Sequence, residues 1–126
     1  MSEVGNLIPV FAVKNILLSI EWYAKIFNFK VDWNSGCICS VSSGDHCLML
    51  YEQHDLPTPS MAWIGLESET IFDVCKKNNV EIIKQPTNED YAYNMKVKDL
   101  DGNILWLGTE PKSNGQNELH SHESSC

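Results

Sequence analysis

The order of strand-like and helix-like segments occurs twice in this chain, and that repetition restricts the fold more than any single motif. "LIPVFAV" (Leu7–Val13) is apolar and rich in β-formers, and reads as a strand. "KNILLSIEWYAKIFN" changes to a helical period, with Ile16, Ile20, Tyr23 and Phe27 on one face. Asn15 is placed to cap its start, and Asn28 to end it in the left-handed conformation. Three strands follow: "FKVDW", then "CICSVSS" after the turn Asn34-Ser35-Gly36, then "HCLMLYE" after Ser43-Gly44-Asp45. The polar "QHDLPTPS", with its two prolines, reads as a linker. The order then restarts with the strand "MAWIGLE" and the helix "ETIFDVCKKN". Ser68 is that helix's candidate cap, Ile71, Phe72 and Cys75 turn inward, and Asn79 stands where Asn28 stood before. "VEIIKQ" is a strand, "PTNED" a loop, and "YAYNMKVKD" and "NILWLGTE" are the last two strands.

Two junctions support the repeat. Val13-Lys14-Asn15 matches Leu66-Glu67-Ser68 between strand and helix, and Ser43-Gly44-Asp45 matches Asp101-Gly102-Asn103 before each closing strand. Each half has one apolar sheet face to cover. The expected fold is therefore α+β: two βαβββ modules forming a curved mixed sheet around a cup, with the helices outside. Residues 1–110 are expected to form a single domain, with module one spanning 7–52 and module two 61–109. The polar, aperiodic 111–126 is expected to be a flexible tail, and its His120, His122 and Cys126 are read as solvated rather than as a loose metal site.

Composition removes several function classes. At 126 residues the chain suits one domain with a sizeable core. No apolar run is long enough to cross a bilayer. "MSEVGNLIPVFAV" lacks the basic region and cleavage site of a secretory leader, so a cytoplasmic protein is expected. The net charge of −8 repels polyphosphate and disfavours nucleic acid, whereas a cationic small molecule would be attracted. Five cysteines, Cys37, Cys39, Cys47, Cys75 and Cys126, are an odd number and suit free thiols in a reducing compartment. Cys37 and Cys39 share a strand face, but no second pair completes a metal site, so packed side chains are the preferred reading.

Three stretches together resemble the vicinal-oxygen-chelate superfamily, which holds glyoxalases, extradiol dioxygenases, fosfomycin-modifying enzymes and bleomycin resistance proteins. "VKNILLSIEWYAKIFNF" is similar to its opening pattern through Asn15, Ser19, Trp22, Tyr23, Asn28 and Phe29. "VKDLDGNILWLG" resembles its "DPDGN" turn, with Leu100 in the proline place, and "HCLMLYE" resembles the strand closing the first module. The resemblance implies two βαβββ modules and, in the enzymes, a divalent metal held by His and Glu from the first and last strand of each module. Those four places fall here on Ile8, Met49, Met61 and Trp106, none of which is a hard or borderline donor. The resemblance thus points to the branch without metal chemistry, the bleomycin resistance proteins: acidic, dimeric binding proteins that sequester a cationic glycopeptide.

On this reading the chain is a metal-independent, cofactor-free binding protein with no catalytic residue. It is a homodimer taking a small aromatic, cationic molecule, and antibiotic resistance is its implied role. The expected ligand contacts are Trp33, Met49, Tyr51, Trp63, Tyr91, Tyr93 and Trp106. Trp106 either lines such a cavity or fills it as core. Glu52, Glu89 and Asp90 are acidic groups that could pair with the cation, though solvated surface charge is the commoner role. His46 and His54 have no partner at catalytic spacing. Two rivals stay open: a divalent-metal enzyme using His46, Glu52 and Asp90, and a partner-binding domain whose cup is packed shut.

Overall fold

The computed structural model describes residues 3–55 and 58–113. The chain runs β1 (Val10–Val13), α1 (Ile16–Phe27), β2 (Lys30–Asn34), β3 (Ile38–Ser43), β4 (His46–Glu52), β5 (Met61–Gly65), α2 (Thr70–Lys77), β6 (Ile82–Asn88), β7 (Tyr93–Lys98) and β8 (Ile104–Thr109). This is β-α-β-β-β twice, in two four-stranded mixed sheets ordered β1-β4-β3-β2 and β5-β8-β7-β6. In each sheet the first strand pairs parallel with the last, and the other pairs are antiparallel. The two α+β modules are therefore those the repeat implied. The candidate residues His120, His122 and Cys126 lie outside the described residues. The chain divides into two units at Ser60/Met61, the first unit also taking in the turn Leu100–Asn103.

In the first unit, α1 starts where the sequence supplies oxygen acceptors for its unpaired N–H groups. The Asn15 side chain accepts from Leu18 N at 2.9 Å, and the Glu52 carboxylate accepts from Ile16 N at 3.1 Å. A carboxylate there also favours the helix dipole. Asn28, at φ 59°, ends the helix, while Asn28 N donates to Ala24 O and Phe29 N to Tyr23 O. The apolar face of α1 (Ile16, Tyr23, Ile26, Phe27) packs with Phe11, Val13, Cys39, Val41, Leu48 and Leu50, all buried. Each large aliphatic or aromatic side chain so buried contributes about 1.5–3 kcal/mol.

The turn Leu100–Asn103 is held in this unit by its side chains. Buried Asn103 donates to Ala12 O and accepts from Ser60 N, both at 3.0 Å, and Asp101 accepts from Lys14 N at 3.2 Å. Gly102 adopts φ 87°, which a side chain there would strain.

In the second unit, Ser68 Oγ accepts from Thr70 N at 3.3 Å at the start of α2, and Asn79 takes φ 58° beyond its end. Phe72 and Cys75 are buried with Met95, Val97, Leu105 and Leu107, while Ile71 is only half-buried. Two sequence expectations need correction here. The "PTNED" loop begins as strand, because β6 continues through Pro86 to Asn88. Pro86 falls within a register shift between Lys84 and Thr87 on an edge strand, where no ladder hydrogen bond asks for its missing N–H. The matched hairpin turns are also not equivalent. His46 follows its partner Ser43 across two residues, whereas Ile104 is separated from Lys98 by five. The parallel pairs Val10–Met49 and Trp63–Trp106 show that Met49, not its neighbour, is the counterpart of Trp106. A one-residue offset matters because it exchanges the faces of a strand.

Candidate functional site

Each sheet has a helix face and, within its own unit, an open face. In module two the cross-strand pairs Trp63–Trp106 and Trp106–Lys96 put these three residues on the open face. The Trp63 and Trp106 rings meet edge-on at 5.1 Å, and Tyr91 meets Trp106 edge-on at 6.1 Å. Trp63 and Tyr91 are 47% and 53% exposed. Gly108 is the floor beneath Trp63: a Cβ there would lie 2.2 Å from the end of the indole ring. The Lys96 ammonium sits 4.7 Å from the Trp106 ring centre.

One buried amide organises this cluster. Asn94, 0% exposed, accepts at 2.8 Å from both Trp106 Nε1 and Lys84 Nζ, and donates to Thr87 O, Ala92 O and Glu89. Lys84 also pairs with Glu89 at 3.2 Å. The Tyr91 hydroxyl bonding to Glu89 is the largest cause holding that carboxyl below its ordinary value; Lys84 and Asn94 add to it against the opposing effect of burial. The indole plane of Trp106 is thus pinned through its one polar atom. Alternation along β7 could have revealed this, since Asn94, Lys96 and Lys98 fall on one face, but the sequence reading passed over them.

In module one the open face carries Val10 and Ala12 from β1, Met49 and Tyr51 from β4, and Ser40 and Ser42 from β3. A bulge after Val31 brings both Asp32 and Trp33 to this side. Asp32 accepts from Ser40 Oγ at 3.0 Å and Ser42 Oγ at 2.7 Å. Trp33 pairs across the strands with Ser40, which pairs with Met49, and the Tyr51 hydroxyl donates to Gln53.

Of the residues named from sequence, Trp33, Met49 and Tyr51 therefore share one open face, and Trp63, Tyr91 and Trp106 the other. Tyr93 does not join them. It is on the helix face of module two, stacked on Phe72 at 5.5 Å under the Lys112 ammonium. Tyr91 escapes that side because it sits in the two-residue loop between Glu89 and Ala92, which bond each other backbone to backbone. His46, Glu52 and Asp90 belong to no metal-holding group among the described residues. His46 and Glu52 share the strand parity of Leu48 and Leu50, and Glu52 is spent on the α1 N-terminus, while Asp90 is exposed in the second unit. His54 is exposed.

The family's metal does not fit these residues. At the implied places Met49 and Met61 offer soft thioethers, Ile8 offers nothing, and Trp106 has only an N–H already donated to Asn94. Among the described residues no three His, Cys, Asp or Glu side chains are grouped to hold a metal ion. The two buried thiols are not activated: burial pushes Cys75 up to about 11 and raises Cys39 as well.

The comparisons with known proteins agree with the fold. A family model described as the glyoxalase/bleomycin resistance protein/dioxygenase superfamily matches residues 8–107. No curated protein matches significantly. Among solved structures, TioX from Micromonospora sp. ML1 is similar at 11% identity and a TM-score of 0.73, covering 85% of this chain and 99% of that one. An integron cassette protein from the mobile metagenome of V. cholerae is similar at 14% identity and TM-score 0.70, over 86% and 98% of the two chains. A lactoylglutathione lyase from Agrobacterium tumefaciens is similar at 9% identity and TM-score 0.69, over 86% and 96%. At such identities the likeness concerns the fold alone.

Proposed function

Because the chain belongs to the glyoxalase/bleomycin resistance protein/dioxygenase superfamily, we propose a role within it: a metal-independent binding protein of the bleomycin-resistance type that sequesters an aromatic, cationic small molecule. The observation that carries this reading is Trp106, an indole locked by Asn94 and bordered by Trp63 and Tyr91, at the position to which the resemblance assigns a metal-binding carboxylate in the enzymes of the superfamily. A polar donor has been replaced by stacking surface.

The open face of module one suits the cation. Asp32 is kept in position by two serine hydroxyls next to the exposed Trp33, with Met49 and Tyr51 on the same face. A cationic ring stacked on Trp33 would gain about 0.5–2 kcal/mol from the ring face and a charge-assisted bond from Asp32. The net charge of −8 would add long-range attraction. In module two the proposed contacts are Trp63, Tyr91 and Trp106. Tyr93, on the helix face, is left out.

Titration calorimetry with planar aromatic cations, in buffer containing a chelator, tests the proposal. Saturable binding that is lost in Asp32→Asn and insensitive to added Zn²⁺ or Mn²⁺ is expected. Turnover of a substrate with vicinal oxygens only after metal loading would overturn it. We also propose a homodimer, since each sheet has two edge strands that need cover, β1 and β2 in the first and β5 and β6 in the second; sedimentation equilibrium giving a monomer at micromolar concentration would refute this. No helix among the described residues is long and apolar enough to cross a membrane. A cytoplasmic location and a part in drug resistance belong to the same proposal. Raised drug tolerance in a sensitive host expressing the wild-type chain, but not Asp32→Asn, would support the latter.

A further inference from the structure

The lysines of the second sheet are not treated alike. Lys84 pairs with Glu89 and Lys98 with Glu81. Lys96, between them on the same open face, has no carboxylate among the described residues; its ammonium rests over the Trp106 ring, half-buried. An ammonium in that position has given up part of its hydration for a contact weaker than an ion pair. On the same face Trp106 also meets Trp63, from the strand on its other side, and Tyr91. The combination is a cluster of edge-on aromatic rings with one ammonium that has no carboxylate partner among the described residues.

We propose that the open face of module two is a binding site for an aryl carboxylate, the ring lying on Trp63 and Tyr91 and the carboxylate accepting from Lys96. The local charge at this face is opposite to that of the whole chain, which attracts cations. The site shares Trp63, Tyr91 and Trp106 with the proposed function but differs from the Asp32–Trp33 face of module one in the sign of its charge, and its preference for an anion does not rest on the cation-binding reading.

Two probes with the same ring and opposite charge decide it: 2-naphthoate and 2-naphthylmethylammonium, followed by the indole N–H resonances of the intact chain, assigned with single Trp→Phe variants. Naphthoate is expected to shift Trp63 and Trp106 at a lower concentration than the ammonium probe, whose charge meets that of Lys96 on this face. Lys96→Gln should weaken naphthoate about tenfold, a typical loss for one charge-assisted contact. Lys96→Arg should retain most of the affinity, and Lys98→Gln should change little. Higher salt should weaken the wild-type complex. The proposal is overturned if naphthoate leaves Trp63 and Trp106 unmoved or if Lys96→Gln binds it as well as wild type. It is equally overturned if the two resonances follow protein concentration rather than ligand, which would mean that a second copy covers the face. Shifts of Trp33 by the ammonium probe report on the module-one site alone, so the two readings fail separately.

Discussion

Gly108→Ala tests whether the Trp63–Trp106 pair is built as described. The added Cβ would fall 2.2, 2.7 and 3.1 Å from three ring atoms of Trp63, the nearest atoms to it. Something must move, and the obstacle is the far end of a side chain that is 47% exposed. The ring can swing outward, so the 1–3 kcal/mol typical of overpacking a closed core is an upper bound. The direct loss is the edge-on aromatic pair, about 0.5–1.5 kcal/mol. Alanine in place of glycine in a strand returns about 0.5–1 kcal/mol by restricting the unfolded chain. The net change in urea unfolding should therefore be small, between about 0.5 kcal/mol stabilising and about 1 kcal/mol destabilising. The informative quantity is the coupling with Trp63→Ala. In that background no ring opposes the methyl group, and Gly108→Ala should stabilise by about 0.5–1 kcal/mol. A double-mutant cycle should then give a coupling of about 0.5–1.5 kcal/mol. The near-UV circular dichroism of the tryptophan pair should also flatten in Gly108→Ala. Zero coupling, with Gly108→Ala costing the same in both backgrounds, would refute the placement of Trp63 over Gly108.

Three further outcomes follow from the same geometry. Asn94→Leu strips the partner from the Trp106 N–H and from two carbonyl oxygens, and should cost about 2–3 kcal/mol in urea unfolding; Lys84, partly exposed, turns to water and limits the loss. Asn28 sits at φ 59°, so Asn28→Gly should fall within about 0.5 kcal/mol of wild type, while Asn28→Val should cost about 1–2 kcal/mol by thermal unfolding. The folded state holds the Glu89 carboxyl below its ordinary 4.5, so its contribution to stability is full above the unfolded value and disappears as pH falls through the folded one. Wild type should accordingly exceed Glu89→Gln in stability at pH 7, with the gap closing below about pH 4; a gap independent of pH would contradict the Tyr91–Glu89–Lys84 network.

Local periodicity determined much of this protein. A 3.6-residue period under Ile16, Tyr23 and Phe27, a two-residue period in β4 and β8, and asparagines at both helix ends are properties of neighbouring residues, and backbone geometry alone makes them readable. From them came the doubled βαβββ order and the inward position of Phe72 and Cys75. Register and hydrogen-bond partners are different in kind, because they depend on strands that meet from distant parts of the chain. Only the tertiary structure decided that β6 runs through Pro86, that the two last hairpins differ in length, and that the Asp101–Asn103 turn is tied to Ala12 and Ser60. It alone separated Tyr91 from Tyr93, two residues apart yet on opposite faces, because one lies in a turn and the other in a ladder. Asn94 and Lys96 were visible as letters throughout. What gave them a role was the tryptophan that an antiparallel register set beside them.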